Sequence, residues 1–511
     1  MTVPVIDAPA PAYRKRKRSK MPFVIGGIVL VVAIVATAIA LSVSSTASAA
    51  KEEISIGLVN EPQNLDIRST AGVALDQILI DNVYQGLVGL KPGTVDQIVP
   101  VLAERMPEVS SDGRTYDFAL REGVVFHDGA KLTAQDAVAS LTAALTPEVV
   151  GGAATVTAPD AHSVRVVLAE PNSQLLWLLA NRPGLVLEAK AKNRLSNSAN
   201  GTGPFRFEQW KQGDSLTLVR NDDYWGDAAS LKTVVFRFIP DGRAAVSALK
   251  EGDLDVHAAL LPSLRSEFDG NHDFRLERAD GTDVFTLAFN SAKPPLNDLR
   301  VREALSRAID TKALIATQHG DGKQIGGPIT RLEPGYQDLS AVNAYDPAAA
   351  RKLLADAGQQ NLSLTLTAPN FYDQSTIDLI STQLADVGVS VKVKRVEFAT
   401  WLEQVYTNHD YQLSYVDHAE ARDFGNYANP GYYFGYDSAK VQRLYAESLR
   451  ATDPTTANEL LSAAEKQVAA DAPAKWLYNY TPTNVISTKV TGFPRANTNS
   501  RLNLEGVSIH G

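Results

Sequence analysis

Leu362, Leu364 and Leu366 alternate along one stretch of this chain. Ile377, Ile380, Leu384 and Val387 then recur at helical spacing, and Val389, Val391 and Val393 alternate again. Alternation puts every second side chain on one face of a strand, and the longer spacing puts the next set on one face of a helix. With Gly388 suited to cap the helix, the run predicts a βαβ unit. Its strands must be parallel and its crossover right-handed, which commits the chain to an α/β architecture. A ligand crevice is then expected beyond the carboxyl end of the first strand, in the loop Pro369-Asn370-Phe371-Tyr372-Asp373.

Helix and strand are mixed elsewhere too. A strand is expected from Ile54, ending in Asn60-Glu61-Pro62, where proline stops ladder pairing. Leu75, Ile78, Leu79, Val83 and Leu87 fall at helical spacing, whereas Tyr116, Phe118 and Leu120 alternate after the Asp112-Gly113 turn signal. Thr133-Ala134-Gln135-Asp136 has the form of a capping box and predicts a helix through Ala144. Further strands are read at Leu216 and Leu218, at Val234, Phe236 and Phe238, at Phe285 to Phe289, and over 411–416. Past the Pro294-Pro295 break, Val301, Ala304, Leu305, Ala308 and Ile309 form one apolar helix face.

With 511 residues and 44% apolar content, the chain is too long for one hydrophobic core, since single cores stop growing at roughly 250–300 residues. Residues 1–20 carry a basic cluster, Arg14 to Lys20, directly before an uncharged apolar run at 21–43 that is long enough to cross a bilayer as a helix. The positive-inside tendency keeps the cluster cytoplasmic and exports everything beyond the linker at 44–50. Ala47-Ser48-Ala49 is also a small-residue cleavage signal, so the run is either a membrane anchor or a signal helix cleaved near Ala49. The chain has no cysteine, which rules out a lipid-modified N-terminus and disulfides. The first fifty residues hold six of the 49 basic and one of the 58 acidic side chains, leaving the remainder at net −14, a charge unsuited to nucleic acid.

One ordered series of residues narrows the reading further. It runs Val101-Leu102-Ala103-Glu104, Ser111-Asp112-Gly113-Arg114-Thr115-Tyr116, Leu120-Arg121-Glu122-Gly123-Val124-Val125-Phe126-His127-Asp128-Gly129 and Thr133-Ala134-Gln135-Asp136. It continues with Gly201-Thr202-Gly203-Pro204-Phe205, Arg220-Asn221-Asp222-Asp223-Tyr224-Trp225, Phe289-Asn290, Pro295, Val301-Arg302, Ala304-Leu305 and Ala308-Ile309-Asp310. In this order the series resembles the family 5 extracellular solute-binding proteins, which deliver di- and oligopeptides, and sometimes nickel chelates, to ABC importers. The resemblance covers nearly all of residues 52–505.

It implies a two-lobed, periplasmic-binding-protein-like clamp of type II. Lobe I would hold 51–283, with an inserted subdomain at about 76–200, and lobe II would hold 284–483. The segment 484–511 would return to lobe I, with hinge crossings near 284–290 and 478–484. The implied partners are a peptide or small-molecule ligand and the permease's transmembrane subunits with their cytoplasmic ATPases. The resemblance also implies a monomer, and no cofactor or catalytic residue. Within the series, His127 is expected to belong to a turn closing a strand. Gly201-Thr202-Gly203-Pro204 lacks the Lys-Ser/Thr of a phosphate loop and is expected to shape the cleft near the hinge.

Peptide binders of this family hold the ligand's free amine with an acid, in a Trp-x-x-Asp segment followed by Asp-Pro or Glu-Pro. The matching stretch here, Tyr411 to Pro430, is longer and lacks the tryptophan. Aligned from its strand, His418 falls at the tryptophan position with Glu420 or Ala421 near the acid; aligned back from Pro430, Asn426 takes the acid's place. Two readings stay open. In one, Asp417, Glu420 or Asp423 holds an amine with Arg422 near a carboxylate. In the other, His418 completes the coordination of a metal already carried by a chelator, one histidine being too few for a bare ion. Tyr427 and its aromatic neighbours offer flat walls, and Phe371, Tyr372, Asn60 and Glu61 are expected to face the same cleft. The alternative for the whole acidic stretch is a solvated surface loop.

A secreted hydrolase finds no residues to run it, because HExxH, a G-x-S-x-G elbow and a cysteine nucleophile are all missing. A sensor or folding helper with the same binding chemistry stays open at this level.

Overall fold

The computed structural model describes residues 52–70, 72–190 and 195–510. The basic tail, the anchor or signal helix, the linker and the cleavage site expected within 1–50 lie outside the described residues. Among the described residues no helix is long and apolar enough to cross a membrane.

Two large mixed sheets dominate. In the first, Glu53–Leu58 is central and pairs in parallel with Thr233–Phe238 on one side and Val256–His257 on the other. Ser215–Arg220 and Phe205–Lys211 extend one edge, and Thr483–Ser487 and Phe274–Arg278 the other. In the second, Val284–Phe289 pairs antiparallel with both Ala474–Tyr480 and Leu413–His418. Gly322–Lys323 forms the edge beyond Ala474–Tyr480.

The expected βαβ unit completes this second sheet. Leu362–Pro369 runs parallel to Val389–Val396 from Leu362↔Val389 to Pro369↔Val396, with Gln374–Asp386 as the crossover helix. Gly388 follows that helix at φ +92°, a left-handed conformation that costs glycine little, and a Cβ there would meet the Gln360 carbonyl at 2.8 Å.

A third, four-stranded antiparallel sheet, Glu108–Val109, Thr115–Ala119, Ser163–Leu168 and Ala154–Thr157, lies within the 76–200 stretch. It has its own core with helix Ala134–Ala144. That helix starts as expected, the Thr133 amide and hydroxyl both donating to Asp136 Oδ2 at 2.9 and 2.6 Å. The apolar face read at Val301 to Ile309 is fully buried on helix Leu299–Arg307 and the residues just past it.

The chain passes between the large sheets twice, between Phe274–Arg278 and Val284–Phe289 and again between Ala474–Tyr480 and Thr483–Ser487. The first passage precedes Val284 instead of running through 284–290, because Val284–Phe289 is laddered on both sides. The last residues go back to the first sheet: Val490–Thr491 pairs with Ser508–Ile509, and Phe493, Leu502, Leu504 and Val507 join its core.

Two elements differ from the sequence reading. The helix expected to run to Leu87 is only Ala74–Leu79. Asp81 takes a left-handed φ of 68° and receives Arg501 at 2.6 and 2.9 Å, while the Asn82 amide donates to the Ile78 and Leu502 carbonyls. The C-terminal return thus ends the helix, although Val83 and Leu87 stay buried. The strand expected over 411–416 runs Leu413–His418, set by its ladder with Val284–Phe289, so Asp417 and His418 lie in the strand and not in a loop after it.

Candidate functional site

Three adjoining chambers run where the two large sheets face each other, and residues 417–426 wall all of them. The innermost, about 120 Å³, has Asn60, Gln77 and His257 from the first sheet's side. Phe285, Phe371, Tyr372, Tyr415, Asp417, Tyr478 and Tyr480 face them from the second. The next, about 300 Å³, shares Asp417 and adds Arg182, Trp401, His418 and Glu420. The outermost, about 390 Å³, shares Arg182 and Glu420 and adds Asp76, Trp177, Arg422, Asp423, Asn426 and Arg501.

The innermost chamber is aromatic because Phe285 pairs with Tyr478 across one ladder and with Asp417 across the other. The Phe285 ring lies 5.1–5.2 Å from Tyr372, Tyr415, Tyr478 and Tyr480. The Tyr415 and Tyr478 hydroxyls are 2.9 Å apart. Burial raises all four phenols, which therefore stay protonated and able to donate.

Asp417 is the charge in this apolar setting. Its main-chain amide donates to the Tyr372 hydroxyl oxygen at 3.0 Å, and Oδ2 accepts from Asn499 Nδ2 at 3.0 Å. Oδ1 is buried without a partner among the described residues. Burial holds the acid well above the ordinary carboxylate range, against the opposing pull of His418 and Asn499. Asp283, which precedes Val284, is buried nearby, with neither carboxylate oxygen in a hydrogen bond of normal geometry among the described residues. Burial raises it first and repulsion from Asp417 second. An unpaired carboxylate oxygen among aromatic rings is stabilised by a cation that has shed its own water. His257, also buried, is lowered by burial to about 4 and is neutral near pH 7.

The other residues singled out from the sequence divide. Asn60, Phe371 and Tyr372 line the innermost chamber. Glu420 sits where the outer two meet and stays exposed. Asp423 and Asn426 line the outermost, Asn426 Nδ2 reaching Asp423 Oδ2 at 3.4 Å. Arg422, at φ +57°, lies 4.2 Å over the Trp177 ring and donates to Gln174 at 2.9 Å. Its side chain makes no ion pair among the described residues. Both His418 nitrogens are engaged, Nδ1 with Asp423 at 3.2 Å and Nε2 with the Tyr433 hydroxyl at 2.8 Å.

Three expectations are corrected. Glu61 does not face the chambers: its carboxylate accepts from Trp210 Nε1 at 2.9 Å and from the Gly213 amide, bracing the hairpin between Phe205–Lys211 and Ser215–Arg220. Tyr427 is core, its ring packed on Phe434 and its hydroxyl accepting from Trp476 Nε1 at 2.8 Å. The Gly201–Gly203 stretch packs on the turn at 82–85 instead of on a cleft. Cβ atoms at Gly201 and Gly203 would strike the Val83 and Asn82 carbonyls, and Thr202 donates to Gln85 at 3.0 Å. His127 is structural as expected, Nε2 lying 3.0 Å from the Gly203 carbonyl and Nδ1 accepting from the Gly201 amide.

Asp283, Asn499 and Arg182 were missed. Asp283 had a faint signal, an acid directly before an apolar run. Asn499 and Arg182 had none, since each reaches the chambers only through the tertiary fold.

The family model for bacterial extracellular solute-binding proteins, family 5, matches residues 97–419. The probable D,D-dipeptide-binding periplasmic protein DdpA of Escherichia coli K12 is 27% identical over 479 residues, covering 88% of this chain and 92% of that protein. The periplasmic binding protein DppA of Helicobacter pylori, solved with the peptide STSA, superposes with a TM-score of 0.83 at 22% identity, over 90% of this chain and 99% of the other. MoaA of A. tumefaciens R10, solved with mannopinic acid, gives 0.82 at 24% identity, over 90% and 100%. One fold therefore accommodates chemically different ligands.

Proposed function

This chain belongs to the bacterial extracellular solute-binding proteins, family 5, the binding components of ABC importers, and from that premise we propose that it captures a peptide in the chambers between its two large sheets. Asp417 carries this reading. Its unpartnered oxygen, in a chamber lined by the rings of Phe285, Tyr372, Tyr415 and Tyr478, is the partner a peptide's α-ammonium needs once stripped of water. The carboxylate end extends to the outermost chamber. Arg182 and Arg501 there are committed to Asp76 and Asp81, whereas Arg422 keeps its guanidinium on Trp177 without an ion pair among the described residues.

The two sheets are the centres of the lobes 51–283 with 484–511, and 284–483. A ligand that touches both favours the closed arrangement, which the permease then reads, and no bond is made or broken. Residues 21–43 either tether the protein to the membrane or are removed near Ala49. A bound metal chelate is the weaker reading, because both His418 nitrogens already have protein partners.

The test is native mass spectrometry of the full chain extracted in detergent without refolding, followed by calorimetry with synthetic di- and tetrapeptides. A co-purified peptide mass and a binding heat for the same peptides support the reading. A folded protein that retains no peptide and gives no heat at millimolar peptide rejects it.

A further inference from the structure

Ser306, Lys475 and Trp476 line a cavity of about 540 Å³ that shares no residue with the three chambers. It opens at the start of strand Ala474–Tyr480, whereas Tyr478 and Tyr480 face the innermost chamber from the strand's other end. The exposed ring of Tyr345 stands at its rim. The volume is within the range that holds a small ligand.

The chemistry of its walls is one-sided. Lys475 Nζ donates to the Asn343 carbonyl at 3.0 Å and makes no ion pair among the described residues. Arg307, next to Ser306 in the chain, has a guanidinium without a hydrogen bond or ion pair among the described residues, and it lies close enough to repel Lys475. Burial, and then Arg307, push the Lys475 ammonium down to about 8. The Ser306 hydroxyl is buried without a partner among the described residues, its residue being only 1% exposed. One acid, Asp310, also lines the cavity, but its Oδ1 accepts from the Lys312 and Ala313 amides as the cap of a short helix. It makes no ion pair with Lys475 or Arg307. Lys312, exposed and without an ion pair among the described residues, also lines the cavity; two lining ammoniums, with Arg307 close by, and an unpartnered hydroxyl are stabilised by an anion bound between them.

We infer that this cavity is a second binding site, outside the chambers between the sheets, for a small organic anion presenting carboxylate or phosphate oxygens. Lys475 and Lys312 supply the charge, Ser306 supplies a hydrogen bond, and the Trp476 ring, fixed through its Nε1 bond to Tyr427, supplies a flat wall.

The test uses the full chain in detergent, with citrate and inorganic phosphate as probes in calorimetry and thermal melting, and sodium chloride at matched ionic strength as control. Citrate, phosphate or both should bind and raise the melting temperature beyond the chloride control. Lys312→Gln and Lys475→Met should each weaken that binding by roughly tenfold or more, the effect of losing one charge-assisted bond, while peptide heats stay unchanged. Lys312 is exposed, so its variant remains informative if Lys475→Met fails to fold. Failure of both anions to bind, or binding of equal strength in Lys312→Gln, overturns the inference. The peptide measurements are separate, so either reading can fail without the other.

Discussion

Asn499 donates to Asp417 at 3.0 Å, so a side chain carried by the C-terminal return to the first sheet holds one oxygen of a carboxylate on a strand of the second. The other oxygen is buried without a hydrogen-bond partner among the described residues.

Asp417→Asn removes that charge with almost no change of shape. Peptide affinity should fall by roughly 10–100-fold, as expected for a charge-assisted bond worth about 1.5–3 kcal/mol, with the fold retained. Calorimetry alongside circular dichroism measures both, and an unchanged affinity removes Asp417 from the site.

The same acid sets a pH dependence. Its protonation equilibrium is raised by burial, so an appreciable share is neutral at mildly acidic pH, and the neutral form is a poor partner for an ammonium. Affinity for a dipeptide should therefore rise as pH is taken from about 5.5 to about 7.5 and level off as the ligand's own amine, near 7.7–8.0, begins to lose its proton. In Asp417→Asn the acid limb should vanish.

Glu465 governs stability in a different place. It is fully buried, Oε1 accepts from the Ile329 amide at 3.3 Å, Oε2 has no partner among the described residues, and burial pushes the group up to about 8. The folded chain then holds this proton where the unfolded chain has released it, so the contribution is complete below about 4.5 and is lost as pH rises through 8. The loss is on the order of 2–4 kcal/mol. The thermal midpoint should drop from pH 5 to pH 8, and Glu465→Gln should flatten that slope.

Glu61→Ala should cost about 1–2 kcal/mol by stripping Trp210 and the Gly213 amide of their acceptor, with peptide affinity untouched. Denaturant unfolding and calorimetry on one preparation separate the two effects; a weakened affinity without loss of stability would return Glu61 to the ligand site.

His418→Ala should destabilise the fold by about 1–3 kcal/mol, because Asp423 and the Tyr433 hydroxyl lose partners. Dialysis of the unmodified protein against EDTA should leave its melting curve and peptide heats unchanged, whereas a protein that carries a metal chelate on His418 would lose both its ligand and part of its stability.

Legibility in the sequence followed the range of the forces involved. Leu362 to Val393 announced their strands and helix because periodicity is local and the whole unit is buried on one side. Val83 and Leu87 announced burial correctly but not helix, since the contacts that stop the helix, Arg501 on Asp81 and Leu502 on Asn82, arrive from more than four hundred residues away. The site divides the same way. The wall 417–426 was visible as acids and an arginine next to a strand, and Phe371 and Tyr372 as the loop of a parallel crossover. Glu61 and Tyr427 were indistinguishable from ligand groups until their partners, Trp210 and Trp476, were placed. Asn499 carries no local mark at all.

Asp321 has a place in this account beyond its ion pairs. It precedes the edge strand of the second sheet, is fully buried, and accepts Arg265 at 3.1 Å, Arg278 at 2.8 Å and the Thr483 hydroxyl at 2.8–2.9 Å, all from the first sheet's side of the two passages. A single carboxylate is gripped from three directions, and parting the two large sheets at that point would break several charged bonds together, so Asp321 ties the two passages to each other.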